Sequence, residues 1–194
     1  MMEPKLNFIQ KIKKNVRQSL RTHLRLTRER RQSNQWLRHH CAEIKGGVLS
    51  IGSEYDRDGE GGFYRNYFKG ASSYTTSEVS DEFGTDLVID VRSMPEIESE
   101  SFDGIYCSGV LEHVDDFHSG IQEITRILKS NGILLLGLPF RQAIHMEPND
   151  YWQFTEYGIR HLLKDHYTLL ECSSINQTRR ANFPASYWVK AQKN

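Results

Sequence analysis

The stretch Asp86–Phe140, DLVIDVRSMPEIESESFDGIYCSGVLEHVDDFHSGIQEITRILKSNGILLLGLPF, decides how the chain folds. It holds a short apolar run ending at Asp90, then Ser101-Phe102-Asp103 and a second apolar run to Cys107. Leu111-Glu112-His113-Val114 follows, then an amphipathic segment, a turn at Asn131-Gly132 and a third apolar run closed by Pro139. Apolar runs separated by a helix-length segment predict parallel strands joined by crossover helices. Sheets of that kind bind ligands outside the carboxyl ends of their strands. Those ends carry Asp90, Ser108, Gly109, Glu112, His113 and Pro139.

Working outward, Val48–Ile51 reads as the first buried strand, closed by Gly52. The next ten residues, SEYDRDGEGG from Ser53 to Gly62, form a glycine-rich, acidic loop. Phe63–Phe68 opens a short helix, and Ser72–Glu78 and Asp86–Asp90 are the second and third strands. Phe102–Cys107 is the fourth. Ile121, Ile124, Ile127 and Leu128 share one face of a helix over Asp116–Leu128. The fifth strand, Gly132–Leu138, is apolar throughout, as a strand covered on both faces is. Thr155 is the expected N-cap of a helix reaching Asp165, because its hydroxyl can accept from an unpaired first-turn amide. Tyr167–Ser174 and Ala185–Ala191 complete seven strands as an antiparallel pair at the sheet edge.

The chain has 194 residues and zero formal net charge, but the charge is unevenly placed. Residues 1–45 carry twelve Lys/Arg against three acids, while residues 46–194 carry thirteen against twenty-two. That asymmetry predicts a basic arm over 1–45 and an acidic body over 46–194. Residues 5–40 show roughly helical spacing of apolar residues, with Arg28–Asn34 a candidate break and Trp36-Leu37 an apolar anchor. Three readings stand for the arm: a helical cap on the body, an amphipathic helix on an anionic membrane, or a nucleic-acid contact. No apolar run approaches the roughly 18 residues of a membrane span, and no secretory pattern follows the N-terminal basic residues. Cys41, Cys107 and Cys172 are widely spaced and odd in number, which fits reduced thiols in the cytoplasm rather than disulfides or zinc.

The segment around LEHV resembles the second half of a class I S-adenosylmethionine-dependent methyltransferase domain, of the small bacterial type. The resemblance implies a Rossmann-like α/β fold with a seven-stranded, mostly parallel sheet, preceded here by the basic helical arm. It also implies S-adenosylmethionine as cofactor and S-adenosylhomocysteine as product. By the same resemblance, Gly52 and Ser53 lie in the first cofactor loop, although GSEYDRDGEGG departs from the family's compact GxGxG turn. Glu78 stands where the family places an acid for the ribose hydroxyls, and Asp90 and Val91 stand where it flanks the adenine. Ser108 and Gly109 would line the methionine end. His113 has two readings, a packed histidine orienting its loop or a proton acceptor titrating near neutral pH.

After the fifth strand, PFRQAIHMEPNDYWQFT resembles a subgroup with a proline, a histidine and a P-x-D-Y-W-x-F-T run, here Pro139, His145, Pro148, Asp150, Tyr151, Trp152, Phe154 and Thr155. His145 is the expected general base, with Asp150 orienting it. A metal set of His145, Asp150 and a third ligand is weighed, and no metal is assigned, because spacing alone does not establish one. The expected acceptor is an oxygen or nitrogen of a small molecule or saccharide, by analogy with enzymes of surface polysaccharide modification. The expected location is the cytoplasm, with membrane-surface or acidic-partner contact through 1–45. Two rivals are a non-catalytic methyltransferase-like scaffold and a nucleic-acid or protein methyltransferase recruited by the arm. CSGV stands where an amino-methylating enzyme of nucleic acid would carry an NPPY- or DPPY-type motif.

Overall fold

A computed structural model describes residues 27–175 and 183–194. The helix expected over 5–40 therefore lies partly outside the described residues, as does 176–182. The elements run α1 (Arg28–Cys41), β1 (Gly46–Ile51), β2 (Ala71–Glu78), β3 (Leu87–Val88), β4 (Phe102–Ser108), α2 (Phe117–Ile127), β5 (Leu128–Pro139), α3 (Glu156–Leu163), β6 (Tyr167–Ile175) and β7 (Ser186–Lys193). The strands form one seven-stranded sheet in the order β3-β2-β1-β4-β5-β7-β6. Strands β1 to β5 pair in parallel, and β7 runs antiparallel between β5 and β6.

The two faces of the sheet follow from the alternation of side chains along each strand. Leu49, Ile51, Ile105, Cys107, Leu134, Leu136 and Val189 point to one side, onto Ile121 and Ile124 of α2 and Ile159 and Leu163 of α3. Val48, Tyr106, Leu135 and Trp188 point to the other, onto Trp36, Leu37 and Cys41 of α1 and onto Tyr64, Tyr67 and Phe68. Apolar residues on both faces produce the unbroken apolar runs seen in the sequence.

Five expectations change. Arg28–Asn34 is continuous helix, not a break: Thr27 caps it through Arg30 N, and the fully buried Asn34 donates from Nδ2 to the Asp58 carbonyl at 2.9 Å. A tertiary partner thus outweighs a polar composition. The arm's charge boundary also does not coincide with a packing boundary, since α1 is part of the core. The third strand is only Leu87–Val88, because Asp86 turns aside to accept from Thr76 N and Thr76 Oγ1, each at 2.8 Å. The fifth strand begins at Leu128, directly after α2, and bulges where Asn131 takes φ 63° before Gly132. Finally, the β1–β2 connection contains no α-helix, only a 3-10 turn at Tyr64–Tyr67.

Candidate functional site at the carboxyl edge

Parallel register aligns the strand ends. Ile51 pairs with Ser77 and Cys107, and Ser108 pairs with Gly137, so Gly52, Glu78, Ser108 and Gly109 share one edge. Gly52 has φ +71°, and a Cβ there would lie 2.2 Å from Val110 Cγ2. Only glycine lets the chain turn beneath the segment that follows β4. The amides of Gly52 and Ser53 both donate to the Ser77 carbonyl at 3.0 Å, and Glu54 N donates to Glu78 Oε1 at 2.8 Å. Ser53 Oγ donates to the Ser50 carbonyl at 2.9 Å, so its hydroxyl serves the turn itself.

The loop after Ser53 spends its acids on its own folding. Asp56 and Asp58 are each 3% exposed. Asp58 Oδ1 accepts from Glu60 N and Gly62 N at 2.8 Å, and Oδ2 accepts from Tyr67 Oη at 2.7 Å. Burial works against that carboxylate, but the Tyr67 hydroxyl and the two amides outweigh it and hold its pKa below the usual range. Asp56 accepts from Arg65 Nε at 2.7 Å and from Tyr74 Oη at 2.9 Å. These residues replace the compact glycine turn of the family with a loop pinned from inside.

Asp90 is engaged too. Arg92 grips its carboxylate through Nε at 3.1 Å and Nη2 at 2.6 Å, and reaches Asp115 at 2.8 Å with Nη1. The Arg92 guanidinium holds the Asp90 pKa below its ordinary value. Val91 points into the core, against the position a Cβ on Gly120 would take.

The region after β4 and β5 is organised differently. Leu111–His113 forms a 3-10 turn with Leu111 fully buried and Glu112 2% exposed. The segment 149–154 docks on this turn. Tyr151 N and Trp152 N donate to the Glu112 carbonyl at 2.8 and 3.2 Å, Trp152 Nε1 donates to the Val114 carbonyl at 2.9 Å, and Phe154 N donates to the Pro139 carbonyl at 2.7 Å. This clamp brings His145 onto His113, with ring centroids 4.7 Å apart at 76°.

Both rings have a fixed partner on one nitrogen. His113 Nδ1 lies 2.7 Å from the Asn149 carbonyl, which can only accept, so Nδ1 carries the proton. His145 Nδ1 lies 3.1 Å from Asp150 Oδ2, and the same carboxylate accepts from His145 N at 2.8 Å. That backbone bond, followed by the imidazole nearby, keeps Asp150 ionised to lower pH than usual. The Nε2 of each imidazole is left with its lone pair. Beside them Glu112 Oε2 is buried with no hydrogen-bond partner, and burial pushes the Glu112 pKa up to about 7. The fold thus joins His113, His145 and Asp150 and adds Glu112, whose signal in the sequence was its place next to His113 in a strand-end turn.

The edge fits the cofactor that the sequence implies. Gly109, at φ +72°, leaves open ground between Ser108 and Glu112, where a Cβ would meet only Glu112 Oε1 at 3.9 Å. Glu78 is half-buried, and its oxygens keep lone pairs for hydroxyl donors beyond the Glu54 amide. Burial, reinforced by the nearby Glu78 carboxylate, raises the Glu54 pKa.

Residues 64–136 match the family described as a methyltransferase domain. Comparison with curated protein sequences gives no match. Among solved structures, a chain from the complex of the Haloferax volcanii Trm112 methyltransferase activator with a methyltransferase is 16% identical, with TM-score 0.63 over 84% of this chain and 91% of that one. An S-adenosylmethionine-dependent methyltransferase from Mesorhizobium loti is 15% identical, with TM-score 0.63 over 82% and 96%. The Burkholderia thailandensis 1,6-didemethyltoxoflavin-N1-methyltransferase, solved with S-adenosylhomocysteine, is 16% identical, with TM-score 0.60 over 100% and 93%. At these identities the structures establish the shared fold. The chain thus has the fold of the class I methyltransferases, and its residues 64–136 carry the match to a methyltransferase domain.

Proposed function

We propose that the chain methylates an oxygen or nitrogen of a small-molecule or sugar-type acceptor, bound under the 139–155 segment. The observation that carries this reading is the His145–Asp150 pair, set against His113 at the carboxyl edge with the Nε2 of His145 bare. The bound cofactor supplies an electrophilic methyl group on a sulfonium. Asp150 orients the imidazole and stabilises the imidazolium, and Nε2 takes the acceptor's proton as the new bond to oxygen or nitrogen forms. The carbon–sulfur electron pair stays on sulfur. Alignment supplies much of the acceleration in such displacements, roughly 7–11 kcal/mol in favourable intramolecular cases.

The outer rim of the segment suits a ring-shaped acceptor. Tyr151 and Trp152 are partly exposed, Trp152 with its indole tied to the Val114 carbonyl and its ring edge-on to Phe117, so each offers part of an aromatic surface for stacking. The cytoplasmic location, which rests on the unpaired cysteine pattern, and the contact of residues 1–45 with an anionic surface, which rests on charge, belong to the same reading. Among the described residues, no helix is long and apolar enough to cross a membrane.

The test is methyl transfer from isotopically labelled cofactor to a panel of hydroxylated and amino acceptors, saccharides included. Transfer to one class, reduced by His145→Ala with cofactor binding intact, supports the reading. Transfer to carbon, or to nucleic acid alone, overturns it.

A further inference from the structure

We propose that Glu112, His113 and His145 form a binding site for one divalent transition-metal ion. One ligand atom from each residue lies within 4.8 Å of the other two, a span that one ion can close by small side-chain rotations. Two observations beyond this proximity point to a ligand.

The first is the orientation of the donors. His113 gives its Nδ1 proton to the Asn149 carbonyl and His145 gives its own to Asp150, so both Nε2 lone pairs are free. Metal-binding histidines are held this way, with the second ring nitrogen bonded to a carbonyl or carboxylate that fixes ring and tautomer. The second is Glu112. It is 2% exposed, yet Oε2 has no hydrogen-bond partner. A buried carboxylate oxygen is costly to leave unpaired. Elsewhere in the chain the buried acids Asp56 and Asp58 are fully partnered.

The donor set selects the ion. Two neutral imidazoles and one carboxylate suit zinc, cobalt, manganese or ferrous iron, and suit magnesium or calcium poorly. Three protein ligands also leave coordination positions for a further oxygen or nitrogen donor, as catalytic sites do. The 149–154 segment is held to residues 112–114 through four separate hydrogen bonds, and His145 is tied to that segment through Asp150. A role for the ion toward the acceptor rests on the methyl-transfer reading above; binding of the ion does not. A bound ion takes the Nε2 lone pair of His145 out of proton transfer, so ligand and base are alternative uses of that residue.

The experiment titrates cobalt(II) into metal-stripped full-length protein without cofactor, following visible d–d absorption and heat. The expected result is one ion per chain. Glu112→Gln, His113→Gln and His145→Gln should each weaken binding beyond the roughly 10–100-fold that loss of an orienting partner costs, and Asp150→Asn should fall within that range. His161→Gln, on the exposed face of α3, should leave binding unchanged. Cofactor-product titration of each variant reports whether it has folded, and His145→Gln on a half-buried loop carries the test if Glu112→Gln does not fold. Failure of folded wild-type protein to bind cobalt overturns the proposal, as does binding indifferent to the three ligand substitutions. Cobalt binding without product binding would count against the methyltransferase reading instead.

Discussion

The β1–β2 side and the β4–β5 side of the carboxyl edge are both rich in acids, and they use them in opposite ways. On the first side Asp56, Asp58 and Glu60 are absorbed into the loop, each accepting from Tyr, Arg, Asn or backbone donors. On the second, Glu112 and two imidazole nitrogens are buried or half-buried with bonding capacity left over. A polar group in a fold's interior is stable when paired, so unpaired capacity in a rigid, docked turn marks where something else binds. The acid-rich loop is the more conspicuous in sequence, but the LEHV turn is where bonding capacity is left over in the structure.

The comparison can be broken by mutation. The largest expected effect is on turnover: His145→Ala should lower kcat about 10²–10⁴-fold, the usual range for a positioned acid or base, with cofactor binding unchanged. A loss confined to KM would mean that the residue only holds the acceptor. Next, Asp58→Ala removes a buried carboxylate serving three donors, each bond to a charged group being worth about 1.5–3 kcal/mol. Urea denaturation should show a loss of about 3 kcal/mol or more, since two amides and the Tyr67 hydroxyl are left behind. Glu112→Gln should behave in the opposite way, changing stability by less than about 1 kcal/mol, because the charge it removes is unpaired and costly to bury. If Glu112→Gln destabilised as much as Asp58→Ala, the two sides would not differ and the comparison would collapse.

A pH titration sharpens the contrast further. The folded pKa of Asp58 lies below its unfolded value, so the unfolded chain binds the proton first as pH falls. Its stabilisation is complete above the unfolded carboxylate value, about 3.9, and is lost as pH drops through the lower folded value. Asp58→Asn should therefore flatten the acid limb of the stability curve. The smallest effect expected is at Asp90. Its pair with Arg92 is more than a third exposed, so Asp90→Ala should cost under about 1 kcal/mol in stability while weakening cofactor binding.

How much of this could be read in the sequence depends on whether a residue's role is local. The strands β1, β4 and β5 and the helix α2 were legible because apolar patterning is written into consecutive residues. So was the Thr155 cap, which accepts from Gly158 N at 3.0 Å. The pairing of His145 with Asp150 was legible because only five positions separate them. Asn34 was misread as part of a break because its partner is the Asp58 carbonyl, reached only when α1 lies on the loop. Glu112 stands at a strand end in the sequence, but nothing near it in the chain shows that its side chain is buried with an oxygen unpartnered.

The seven-stranded α/β fold is written in the residues themselves, because apolar periodicity and strand-end motifs are short-range properties. The tertiary structure decided which acids hold the fold and which remain available. It did so by docking 149–154 on the Leu111–His113 turn, which brings His113, His145 and Glu112 together. Burial and hydrogen-bond satisfaction are properties of the packed molecule, fixed by contacts between residues far apart in the chain.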